Sequence, residues 1–233
     1  MHVYNPGGDF LSSFTKNKFR AIINSMANKV LTHFPKIKPS VLLTILLFSV
    51  GDFLATSFFQ DVLHAPLFFD TIFMIATLFV FGPLEAFFEY VIFISLICAK
   101  LIFLYGTTDF VYFYTLAALT IILTTWLFVR QKDKLEKGVN FVFLYILLAS
   151  LLAGFACSVV SGLISYFTYN LNQKDWTFDD LIFAFNGMQL DALASAIFGR
   201  IPVIFLDRVI TTFAGFGVFK LYNHIINGGK FRR

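Results

Sequence analysis

The sequence predicts an all-α integral membrane protein: a six-transmembrane-helix bundle preceded by an amphipathic helix. Three observations carry that prediction. Of 233 residues, 58% are apolar and only 14% are charged, with a mean hydropathy of +0.78, whereas roughly a quarter of the residues in a soluble domain are charged. The apolar residues fall into runs near the ~20 residues that cross a hydrocarbon core. The basic residues gather between alternate runs, as short cytoplasmic loops require.

In chain order, residues 1–39 come first. Phe10, Phe14, Ile22, Met26 and Phe34 recur at a rough helical period among Lys16, Lys18, Arg20 and Lys29. That pattern predicts an amphipathic helix lying on anionic lipid at the inner leaflet. The basic-then-apolar order of a secretory signal is missing, so the N-terminus is expected to be retained. A transmembrane domain is expected over 40–225, with spans near 41–59, 67–81, 84–105, 110–129, 141–167 and 201–222, and then a basic tail over 226–233. Gly82 and Pro83 read as a tight turn that makes 67–105 one hairpin, since Pro suits the first turn of a helix.

Orientation follows from Lys and Arg. Most of the 18 basic residues lie in the N-terminal segment, in "RQKDKLEK" and in the tail. With six spans, all three segments fall on one side of a cell membrane, and both termini of a multi-pass protein are cytoplasmic. The loop after the fifth span holds "TFDDLIFAFNGMQLDALASAIFG", whose early Asp179 and Asp180 suit a helix start. Two readings stand over 178–198: a short cap helix, or a partial span that would move the C-terminus to the other side.

An ionised group at the centre of a membrane helix costs roughly 2.5–3.5 kcal/mol by insertion scales, so each one needs a reason. Asp52, Asp70, Lys100, Asp207 and Arg208 all fall in the outer half of the expected bundle. Tyr112 and Tyr114, Tyr166 and Tyr169, and Trp176 lie at the same level. Asp52, Asp70, Asp207, Arg208, Tyr112, Tyr166 and Trp176 therefore predict a pocket for a small polar or heteroaromatic ligand. The same charges also read as a structural network, Asp70 or Asp52 pairing with Arg208, and the two readings are compatible. Glu85 and Glu89, a turn apart, are expected at the cytoplasmic membrane interface.

Small residues recur every four positions through Ser150, Gly154, Ser158 and Gly162, and again at Thr211 and Gly215, as close helix packing requires. Gly51 and Ala55 repeat the spacing in the first span. Cys98 and Cys157 sit in apolar runs and read as structural thiols. The four histidines are scattered, giving no metal cluster or His-based dyad, and no phosphate-binding loop is present. The composition thus argues against an enzyme, a resident cofactor or a nucleic-acid partner; inner-leaflet contact accounts for the net charge of +4.

Two segments carry a resemblance. "PLFFDTIFMIATLFVFGPLEAFF", 66–88, is similar to the second and third helices of the substrate-binding S components of energy-coupling factor (ECF) transporters and of vitamin-uptake-like membrane sensors. "GRIPVIFLDRVITTFAGFGVFKL" resembles the last helix of the same group. The resemblance implies an S-component-like bundle that binds a small water-soluble, vitamin-like ligand at its outer face through Asp70, Arg200, Asp207 and Arg208. It also implies partners, a membrane scaffold subunit met through small residues on the first helix, here Gly51 and Ala55, and separate ATPases. Its alternative is a sensor of the same fold that signals ligand occupancy to another protein.

Overall fold

The computed structural model describes residues 38–64, 67–108, 111–135, 138–169 and 191–227. The expected amphipathic helix, most of the tail, Trp176 and most of the 178–198 segment lie outside them. The chain divides into two units, Met1–Leu42 and Leu43–Arg233. The described part of the first is the opening of one helix, and everything below concerns the second.

The described residues are mostly helical and contain no strand. Helix α1, Pro39–Ser57, runs on into a single π-turn, Phe58–Val62. Helix α2, Ile72–Val80, has only nine residues. It turns sharply into α3, Pro83–Tyr105, through Gly82 at φ 129°, with Pro83 in the first turn where its missing N–H costs nothing. Gly106, at φ 74°, ends α3 in the left-handed conformation that glycine favours. A 3₁₀ turn, Val111–Tyr114, leads into α4, Thr115–Val129. Helices α5, Lys132–Leu135, α6, Val139–Tyr169, α7, Ala192–Phe198, and α8, Ile201–Asn227, follow.

Among the described residues, five stretches are long and apolar enough to cross a membrane: Pro39–Val62, Pro83–Tyr105, Val111–Val129, Val139–Thr168 and Ala192–Ile226. The expected span over 67–81 differs. Residues 67–71 are not helical, and nine residues of α2 reach about 14 Å against a hydrocarbon core of about 30 Å. Being apolar all round, α2 is buried from Met74 through Phe79 instead of facing lipid.

Helix α2 lies at the centre of the packing. It rests on α8, α3 and α4, while α6 packs on α4, α7 and α8. Ile75 and Leu78 of α2, Phe93 of α3, Ile122 of α4, Ile146 of α6 and Phe219 of α8 belong to one buried cluster. Close approach is set by the small residues. A Cβ on Gly215 would stand 2.6 Å from the Ile72 carbonyl oxygen, and one on Gly162 would stand 2.9 Å from Cα of Ile197. Helix α1 is joined partly by polar contacts: Ser49 Oγ donates to the carbonyl oxygen of Glu89 at 2.9 Å. Its other side exposes Leu43, Leu46, Leu47, Val50 and Leu54, the apolar stripe that lipid requires.

Candidate functional site

The site is built around the non-helical approach to α2. A helix start leaves its first N–H groups without intrahelical partners, and a buried start must find acceptors elsewhere. For α2 the acceptor comes from α1. Asp52 takes the Phe73 N–H on Oδ1 at 3.0 Å and the Met74 N–H on Oδ2 at 2.9 Å. One carboxylate 21 residues upstream of Phe73 thus caps the helix, and it stands at the positive end of the α2 dipole, where a negative charge is favoured.

Asp207 of α8 does the same for the preceding segment. Its Oδ1 accepts the N–H groups of Phe68 and Phe69, both at 3.0 Å. Phe69 is held at φ 50°, a conformation uncommon for residues other than glycine that persists only where the surroundings fix it. Besides the Asp207 bond, its ring stacks on Phe59 with centroids 4.0 Å apart.

Arg208 closes the network. Its Nη1 donates to the Thr71 hydroxyl at 2.6 Å, and its Nη2 bonds Asp70 Oδ1 at 2.7 Å and Asp207 Oδ2. Arg208 therefore holds two carboxylates through Nη2 and the Thr71 hydroxyl through Nη1, so that the fixed guanidinium fork joins the acids to the start of α2. On the next turn Thr211 Oγ1 donates to the Asp207 carbonyl at 2.8 Å.

Beside this network is a cavity of about 290 Å³, close to the lower bound of about 300 Å³ for small-molecule sites. Asp70, Thr71, Arg200 and Arg208 supply much of its polar lining, with Thr56 and Gln60 from the end of α1 and its π-turn. Phe93, Ile97 and Leu101 of α3, Tyr114, and Ala118 and Ile121 of α4 supply an apolar part. Phe68, Tyr90, Cys157 and Ser161 also line it. Two lining residues hold buried polar atoms with no protein partner among the described residues, Thr56 Oγ1 and Arg208 Nε. Buried donors and acceptors in that condition are uncommon and fit a site that bonds something else.

The sequence-derived site residues fall into three groups. Asp70, Arg200 and Arg208 meet at the cavity; Arg200, in the break between α7 and α8, is buried and donates from Nη1 to the Ala196 carbonyl at 3.2 Å. Asp52 and Asp207 do not line the cavity: both Asp52 oxygens and Asp207 Oδ1 accept backbone N–H groups, and Asp207 Oδ2 is held by Arg208. Tyr112, which is exposed, and Tyr166, which is half-buried, do not line it. Trp176 lies outside the described residues. Gly51 packs on the Phe73 ring, 2.8 Å from where its Cβ would stand, and Ala55 is half-buried. Among the lining residues that sequence reasoning missed, Thr71 follows Asp70 in "FDT" and was legible there, whereas Thr56, Gln60 and Tyr90 gave no signal. Glu89, expected at the membrane interface, is instead fully buried. Lys100, outside the cavity lining, pairs with Asp61 in the π-turn and donates to Ser57 Oγ at 3.1 Å.

Together these features define a helical protein of multi-pass membrane type with an amphipathic internal cavity beside a buried ion network. No protein-family model, no curated protein and no solved structure matches the chain.

Proposed function

We propose that this protein is a membrane-embedded substrate-binding subunit that captures a small vitamin-like nutrient and works with separate scaffold and ATPase subunits. The observation that carries the reading is the cavity: about 290 Å³, with Arg200, Arg208 and Asp70 set beside Phe93, Tyr90 and Tyr114. Such a lining bonds a polar edge and stacks on a flat or apolar body. The resemblance of 66–88 and of the last helix to S components supports the same reading.

In this reading the non-helical 67–71 segment and α2 together make the second of six crossings. Basic residues before α1, between α4 and α6 and after α8 hold both termini in the cytoplasm. The cavity, reached by the ends of α1 and α3 and the start of α4, then faces the outside. The chain has no phosphate-binding loop of its own, so energy for release comes from partner ATPases.

Two measurements test the proposal. Mass spectrometry of small molecules retained by the purified protein identifies a ligand, and Ala118→Phe, which fills the cavity, abolishes its retention while the protein stays folded. Capture from native membranes then recovers ATPases. A bound ligand unaffected by Ala118→Phe overturns the site, and capture of a signalling protein in place of ATPases favours the sensor.

A further inference from the structure

Glu89 lies on the second turn of α3, about 10 Å from its start. It is 0% exposed, and neither carboxyl oxygen has a hydrogen-bond donor among the described residues. Its neighbour is a second acid. Ser49 of α1 bonds the Glu89 main chain, and Asp52, one turn further along α1 and itself 0% exposed, brings its carboxyl beside the Glu89 side chain.

Among the described residues, no Lys or Arg pairs with either carboxyl. Asp52 already accepts the Phe73 and Met74 N–H groups. Ser49, beside Glu89, donates its hydroxyl to the main-chain carbonyls of Ile45 and Glu89. Helices α2 and α4 contain no charged residue. The 67–71 segment brings another acid, Asp70, and the phenol of Tyr90 is the next side chain on α3. Arg208 of α8 is occupied by Asp70, Asp207 and Thr71. Two facing carboxylates out of water, with no cation between them, cannot both be ionised.

We propose that Glu89 and Asp52 form a proton-binding site, in which Glu89 carries the proton and donates it to Asp52 while Asp52 remains the acceptor for the start of α2. A proton satisfies the otherwise donorless Glu89 carboxyl and leaves the pair one negative charge, at the positive end of the α2 dipole. A metal cation fits less well, because both Asp52 oxygens already face N–H groups and a hard cation needs six or more oxygens. The inference stands on the α1–α2–α3 contact alone and is independent of the proposed transport role.

The sequence makes the test direct, since the only glutamates are Glu85, Glu89 and Glu136. The full chain with Glu85→Gln and Glu136→Gln, reconstituted in lipid nanodiscs, keeps Glu89 as its sole glutamate. Its infrared spectrum at neutral pH should show a carbonyl band of a protonated carboxylic acid that moves to lower frequency when glutamate is labelled with ¹³C in the side chain. A spectrum in which glutamate contributes only ionised-carboxylate bands overturns the proposal. Asp52→Asn, which keeps an acceptor oxygen for α2, should shift the labelled band by weakening the acceptor. An unmoved band means that the proton is not given to Asp52 and overturns the pairing.

Discussion

Arg208 on α8 donates to the Thr71 hydroxyl, 137 positions earlier in the chain, at 2.6 Å. The bond ties a cavity-lining cation to the residue at which α2 begins, so one side chain serves both the site and the fold. Arg208→Met leaves Asp207 and Asp70 without their cation, and removing one partner of a buried ion pair costs about 3–5 kcal/mol. Arg208→Lys keeps the charge but not the second arm of the fork, which reaches Thr71 while Nη2 holds both carboxylates. Thermal unfolding in detergent should rank wild type above Lys above Met. A Met variant that melts with the wild type would show that the network contributes nothing to stability.

Asp52 offers a cleaner measure of the helix cap. Asp52→Ala removes the acceptor from the Phe73 and Met74 N–H groups, whereas Asp52→Asn retains one acceptor oxygen for them. A buried donor left unsatisfied costs about 1–3 kcal/mol. Hydrogen exchange should therefore speed at the first amides of α2 in the order Asn, then Ala, while amides in the middle of α6 keep wild-type protection. Wild-type exchange rates in both variants would mean that the start of α2 does not depend on Asp52 of α1.

The small residues divide into those that touch and those that do not. Gly215→Ala puts a methyl 2.6 Å from the Ile72 carbonyl oxygen and 2.8 Å from Ile75 Cβ, and Gly162→Ala puts one 2.7 Å from Ile197 Cγ1. Both should lower the unfolding temperature, by overpacking that costs about 1–3 kcal/mol. Gly217, two residues beyond Gly215, would have nothing within 4 Å of a Cβ. Gly217→Ala is expected to be neutral or to gain up to about 1 kcal/mol from helix propensity. The contrast between neighbouring glycines is the readout: equal losses at 215 and 217 would point to backbone effects instead of packing.

The sequence made some of this legible because its signals are local. Apolar runs located α1, α3, α4, α6 and α8 within several residues, the Gly82 and Pro83 turn was read from its own dipeptide, and the four-residue repeat located Gly162 and Gly215. The start of α2 was not legible. Leu67, Phe68 and Phe69 are as apolar as any span, and what keeps them out of a helix is Asp207, whose bonds to them cross 138 and 139 positions. Glu89 was misplaced for a related reason. Because α2 is short, the second turn of α3 lies beside the buried start of α2 and not at a membrane surface. The cluster of charges could be picked out from hydropathy alone, but the division of labour within it could not. Which acids cap backbone and which face the cavity depends on that same non-helical segment.

The ion pair between Lys100 and Asp61 tests whether the π-turn is held from outside the core. The turn carries Gln60 to the cavity and turns Asp61 outward, where its side chain is 52% exposed against 22% for Lys100. Solvent screens a pair of this kind, and exposed pairs contribute about 0.2–1 kcal/mol. Lys100→Met and Asp61→Asn should each lower stability slightly, and the double variant should lose less than the two single losses combined. Raising salt should shrink that coupling, because the charges are partly solvated. Lys100→Met also removes the bond to Ser57, so it should cost more than Asp61→Asn. Strict additivity at low salt would mean that the two charges do not hold the turn, leaving the stacked rings of Phe59 and Phe69 to fix it against the cavity.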